Sequence, residues 1–122
     1  MRAAEKRREA EAFAGVLRLP LRRHVDLRGD FTETFRLSWL EDAGVATRFV
    51  QDNLARSRRG TVRGLHFQRG LAQAKALTVI AGRVLDVGLD LRRESPTFGA
   101  HFSVVLDADD PSLLLLPAGC AH

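Results

Sequence analysis

The tightest constraint on this chain is the run Leu113-Leu114-Leu115-Leu116-Pro117. Successive side chains of a strand point to opposite faces, so four leucines in a row ask for burial on both. Only a central element offers that, yet the chain ends five residues past Pro117, at His122. A central strand so near the terminus points to a fold cut short, or to one completed by a second subunit.

The rest of the chain supports an all-β reading. From Gly15 onward, short apolar-polar alternations are broken by Gly, Asp and Pro. Residues 31–37 alternate cleanly and follow Asp26-Leu27-Arg28-Gly29-Asp30, a turn by composition. Residues 48–53, 61–68, 74–80, 83–91, 101–106 and 113–116 read as strands. Ala81-Gly82 reads as a hairpin link between two of them. Ser95-Pro96-Thr97-Phe98-Gly99 and residues 107–111 are loops. One short helix is expected over residues 38–44, with Ser38 as N-cap, Glu41 three residues on and Gly44 past its end. Residues 1–12 are strong helix formers without an apolar stripe and read as a solvated extension, leaving residues 13–122 as one domain. Many short strands and almost no helix favour a sandwich, barrel or jelly roll.

Composition narrows the function classes. A chain of 122 residues suits one small domain. No apolar run approaches the ~18 residues that span a bilayer, and the charged N-terminus lacks the apolar centre of a secretory signal. The single cysteine, Cys120, forms no internal disulfide, so the cytoplasm is the default compartment. The net charge of +4 is carried almost wholly by arginine, Lys75 being the one lysine beyond the N-terminal stretch. This reflects either base composition or a phosphate-bearing ligand, whose oxygens suit the arginine fork. Nucleic acid ranks last, because the basic residues are scattered, aromatics stand at 7% and no helical reading motif is present. The histidines His24, His66, His101 and His122 fall in no metal-ligand spacing, so no metal is expected. No glycine-rich phosphate loop or serine nucleophile elbow occurs.

The chemistry concentrates in Arg63-Gly64-Leu65-His66-Phe67-Gln68. His66 reads two ways, as a core histidine satisfied by backbone or as a general base, since an unperturbed imidazole titrates near ~6.5. Gly64 marks a bulge or a close backbone approach, and a bulge would bring Arg63 and His66 toward one site. Asp86, inside the apolar strand Val84-Leu85-Asp86-Val87, needs a partner. That partner is either a structural arginine or a site that the carboxylate orients. Lys75 is either a plain surface lysine or a cation facing an oxyanion.

Eight segments, in order, resemble the dTDP-4-dehydrorhamnose 3,5-epimerase family of cupin-like jelly rolls. They are residues 26–33, 49–53 with Arg56-Ser57, 63–68, 73–75, 82–87, 90–92, 95–99 and 117–122. The resemblance implies that His66 removes the proton next to the C4 carbonyl of a dTDP-4-keto-6-deoxy sugar, and that Lys75 stabilises the enolate oxygen. It implies that Arg63 holds the diphosphate, with Arg28 as a further candidate. Gln51 and Asn53 would meet nucleotide or sugar, and Phe31 and Glu33 the thymine end. His122 stands where the family has a second active-site histidine, and Asp86 supports the site from behind. No metal or organic cofactor is implied, because the carbonyl acidifies both neighbouring carbons.

The resemblance also implies a homodimer, with residues 12–20 as the candidate for exchange between subunits. The family continues beyond the Ala121-His122 at which this chain ends, through a proton-donating tyrosine and an aspartate partner for the catalytic histidine. This chain contains no tyrosine. The expectation is therefore a jelly roll incomplete at its C-terminus, with weak or no complete epimerase activity. Two other readings stand beside it: a non-catalytic cupin-like module that binds a nucleotide sugar or assembles with a partner, and a keto-sugar isomerase of the same fold.

Overall fold

The computed structural model describes residues 15–122. The helical extension expected over residues 1–12, and its boundary with the following domain, lie outside the described residues. Among the described residues, eight strands and one helix follow in chain order: β1 (Leu17–Pro20), β2 (Arg23–Asp26), β3 (Gly29–Thr32), α1 (Leu37–Asp42), β4 (Lys75–Leu77), β5 (Arg83–Asp90), β6 (His101–Asp107), β7 (Ser112–Leu116) and β8 (Cys120–Ala121). All pairings are antiparallel, in the orders β1-β7-β4, β2-β3 and β6-β5-β8. No helix among the described residues is long and apolar enough to cross a membrane.

The leucine run is central, as its pattern demands. β7 lies between β1 and β4, and all five of its residues are buried. Leu114 and Leu116 face an interior shared with Val16, Leu106 and Cys120, with Leu77, Phe102 and Val104 packed against it. Leu113 and Leu115 face the other way, onto Leu17, Leu19, Leu21 and Leu40 of α1. One strand thus supplies both cores, each buried Leu contributing roughly 1.5–3 kcal/mol of apolar burial. The interior face of β5 is unusual, since Asp86, Gly88 and Asp90 occupy its buried positions. Gly88 is required there, because a Cβ would stand 2.2 Å from the Phe102 ring on the paired strand.

Several local expectations hold, and others need correction. The turn at residues 26–30 closes the β2–β3 hairpin with Asp26 opposite Gly29. Arg23 then ties the hairpin to Asp109 beyond β6, at 2.8 Å. The helix begins a residue earlier than its expected cap, so Arg36 rather than Ser38 is the N-cap, and no side chain caps it. Arg36 is held there by Glu33, 2.6 Å away, and Gly44 ends the helix at φ +74°. Among the described residues, 48–53 and 61–68 form no ladder, and β3 stops at Thr32 instead of running to Leu37. Alternation makes a segment extended, but a strand also needs a neighbour to exchange hydrogen bonds, and residues 51–73 are exposed throughout. Ala81-Gly82 is a tight turn with Gly82 at φ +74°, but it joins no hairpin. β4 pairs with β7 and β5 with β6, so this turn carries the chain from one sheet to the other.

Candidate active site

β8 delivers His122. Its rungs on β5 are Leu89↔Ala121 and Asp90↔Cys120, so the next residue falls over Gly88 and diagonal to Asp86. His122 Nε2 lies 2.7 Å from Asp86 Oδ2. A carboxylate oxygen accepts, so the contact is a hydrogen bond in the tautomer that carries its hydrogen on Nε2. Asp86 is 7% exposed, and among the described residues its second oxygen, Oδ1, is buried without a hydrogen-bond partner. Of the two partners that the sequence left open, a structural arginine or a site that the carboxylate orients, the side chain in contact is a histidine.

His66 is bound to the same element through the backbone. Its N–H donates to the His122 carbonyl at 2.8 Å, and the His122 N–H donates to the His66 carbonyl at 3.0 Å. Residues that exchange both bonds are directly opposed, and their side chains rise from the same face. The segment carrying His66 is otherwise exposed, which makes this reciprocal pair its anchor. Gly64 permits it. Its φ is +95°, and a Cβ would stand 2.8 Å from the His122 carbonyl oxygen and 3.2 Å from His66 Nδ1. The close approach expected at Gly64 is present. The Gly64→Ala variant should lose about 1–2 kcal/mol from backbone strain alone. Thermal melts and amide exchange at His66 and His122 check this, and unchanged protection of both amides would refute it.

Lys75 lies opposite Leu116 on the interior side of β4. It lines a cavity of about 170 Å³ with Phe67, Gln68, Gln73, Leu91, Gly119 and Cys120. Gln68 is two residues from His66, so cavity and histidine pair adjoin along the chain. Burial pushes the Cys120 thiol up from its usual range, with Arg92 and Lys75 pulling the other way.

The remaining expected residues are not drawn into this cluster. Arg28 is exposed and bound to Asp26 at the hairpin tip, at 2.6 Å. Phe31 is exposed on β3, and Glu33 is engaged by Arg36. Gln51 Nε2 lies 3.4 Å from Asn53 Oδ1 in the exposed segment. Arg63 donates to Ser57 Oγ at 2.9 Å. Among the described residues no three His, Cys, Asp or Glu side chains are arranged to hold a metal ion.

Sequence reasoning gave no role to the group around Asp90, which is fully buried. Its carboxylate accepts from Arg92 Nε and Nη2 at 3.0 Å each, from Ser95 Oγ at 2.6 Å and from Thr97 Oγ1 at 2.8 Å. The Arg92 bonds, more than those of Ser95 and Thr97, hold the carboxyl well below the usual carboxylate range against the opposing effect of burial. The available signal was an Asp followed within seven residues by Arg, Ser and Thr, a spacing that suits side chains closing a loop on one carboxylate.

Comparison with known proteins places these features. A family model described as dTDP-4-dehydrorhamnose 3,5-epimerase matches residues 10–122. The dTDP-4-dehydrorhamnose 3,5-epimerase of Methanothermobacter thermautotrophicus is 43% identical over 99 residues, covering 81% of this chain and 54% of that protein. A crystal structure of the Bacillus anthracis dTDP-4-dehydrorhamnose 3,5-epimerase, with TDP and PPi bound, superposes with a TM-score of 0.85 at 40% identity. It covers 95% of this chain and 67% of that one. The Legionella pneumophila dTDP-6-deoxy-D-glucose-3,5-epimerase, in complex with dTDP-4-keto-L-rhamnose, gives 0.83 at 40% identity, covering 88% and 57%. The all-β, cupin-like jelly-roll architecture is thus shared with these structures. The chain spans about half the length of the curated relatives it matches.

Proposed function

Because this chain belongs to the dTDP-4-dehydrorhamnose 3,5-epimerase family, we propose that it acts on dTDP-4-keto-6-deoxyglucose by removing a proton beside the C4 carbonyl, in dTDP-rhamnose-type deoxysugar biosynthesis. The observation that carries this reading is the reciprocal His66–His122 backbone pair, anchored on buried Asp86 beside a cavity that Lys75 lines. His66 is the base. As it takes the proton, the C–H electron pair moves into the ring C–C bond and the carbonyl becomes an enolate. The Lys75 ammonium meets that oxygen charge where it develops. Returning a proton to the opposite face restores the ketone with the carbon inverted. The carbonyl itself supplies the acidity, so the step calls for no metal or organic cofactor.

Arg63 is the proposed diphosphate ligand and Arg28 a second, since a planar fork pairs with phosphate oxygens. Gln51 and Asn53 would meet the nucleotide or sugar, and Phe31 and Glu33 the thymine. The TDP and dTDP-sugar ligands of two solved relatives support a dTDP-linked substrate. A cytoplasmic homodimer is the assembly we assign.

The test is solvent exchange. Incubated in deuterium oxide with dTDP-4-keto-6-deoxyglucose, the chain should place deuterium at C3 or C5, read by NMR. This reports proton removal regardless of which group returns it. Binding of dTDP with no deuterium uptake would instead make the chain a non-catalytic nucleotide-sugar-binding module.

A further inference from the structure

We propose that Arg92, gripped by Asp90, is the positioning residue that sets His122 against Asp86 and opposite His66. Its consequence for exchange rests on the proposed function; its consequence for the placement of His122 does not.

The need arises from how little holds β8. The strand has two residues and two rungs on β5, and His122 lies one residue beyond them. Its other neighbour, His66, belongs to a segment with no ladder of its own. So short a ladder leaves the placement of His122 to the turn at residues 117–119 that feeds β8.

Arg92 straps that turn. Gly119 has φ +88°, and a Cβ on it would stand 2.7 Å from Arg92 Cγ and 3.4 Å from Cδ. The aliphatic stem therefore lies flat against the bare Gly119 backbone. Its far end passes Gly15, where an added Cβ would stand 3.6 Å from Arg92 Nη1 and 3.2 Å from Pro117 Cγ. The strap thus runs from the end of β5, over the turn, to the start of β1.

Asp90 anchors it at the same rung that anchors β8. Asp90 is the register partner of Cys120, and His122 stands two residues from Cys120 on the same face. The carboxylate takes both guanidinium bonds while Ser95 and Thr97 fix its orientation. A two-bond fork specifies direction as well as distance, which a lysine ammonium does not. Residues two apart on one strand face thus share a reference frame: the Asp90 clamp at one end and the His122–Asp86 contact at the other.

The experiment uses Arg92→Lys, which keeps the charge that buried Asp90 requires. Its readouts are exchange kcat and KM, thermal melting, and the side-chain ¹H–¹⁵N signal of labelled His122. A misplacement of ~1 Å remote from the chemistry costs up to about 10²-fold. Exchange kcat should accordingly fall at least about tenfold, with KM within about twofold. The His122 Nε2–H signal should lose its hydrogen-bonded shift while the protein stays folded. The Asp90→Asn/Arg92→Met pair removes both charges together, avoiding a lone buried charge, and should show the same His122 change. A folded variant that keeps the His122 signal overturns the proposal, as does a fall in kcat that only tracks the unfolded fraction. If the parent chain shows no exchange at all, the proposed function fails, and the His122 signal alone decides the role of Arg92.

Discussion

His66→Ala should lower deuterium exchange into the keto sugar by about 10²–10⁴-fold, the contribution typical of a positioned general base. The loss should fall on kcat, with dTDP binding retained, because among the described residues the arginines assigned to the diphosphate are bonded to Ser57 and Asp26 rather than to the His66 ring. Stability should change by no more than about 0.5 kcal/mol, as for surface positions generally. What anchors residue 66 is its N–H and carbonyl on His122, and alanine keeps both. The variant therefore removes the base and leaves the frame. If the parent exchanges and His66→Ala exchanges within about twofold of it, the proton leaves by another group and the assignment fails. An equal loss of exchange and of melting temperature would mean that the side chain had been holding the segment in place.

How much of this was legible from residues alone follows the range of each interaction. Four consecutive leucines state their need for two buried faces locally, and β7 meets it. Gly44, Gly82 and the Asp26–Asp30 turn also read correctly as turns, because a positive φ or a hairpin tip is set by neighbouring residues. Partner choice is not local. Ala81-Gly82 turns the chain as expected, yet β4 and β5 diverge to different sheets. The alternations at residues 48–53 and 61–68 describe extended backbone, but ladders depend on what lies alongside.

The site divides in the same way. His66 and Gly64 stood out because a histidine among apolar neighbours and a glycine in an extended run are local signals. The pairing of Asp86 with His122 spans 36 positions and exists only because β8 lies on β5 in one register. A chain rich in arginine left an ion pair as one of two partners for Asp86, beside a site that the carboxylate orients. The Asp90 group is the reverse case, with every partner within seven residues. Its signal is one of spacing alone, an Asp with Arg, Ser and Thr inside seven residues.

The largest stability loss is expected at that group. Asp90→Ala strips the acceptor from the Arg92 fork and from the Ser95 and Thr97 hydroxyls at once. Breaking a buried ion pair from one side costs about 3–5 kcal/mol. Arg92 retains 27% exposure and can recover some hydration, so the lower end, about 3 kcal/mol, is the expected value. For a domain of this size that corresponds to a melting temperature lower by about 10 °C. Asp90→Asn keeps the shape and one acceptor oxygen, and should fall between the parent and alanine. The pH dependence has a definite sign. The folded-state value of Asp90 is depressed, chiefly by the Arg92 hydrogen bonds. Its contribution is therefore complete above the unfolded-state value of ~3.9 and is lost as pH falls below it. The parent should lose stability steeply below about pH 4, and Asp90→Asn, which has no proton to take up there, should show a shallower slope. Equal slopes for the two proteins in acid, or an Asp90→Ala melting point within about 2 °C of the parent, would mean that the loop at residues 95–99 is held by something other than this carboxylate.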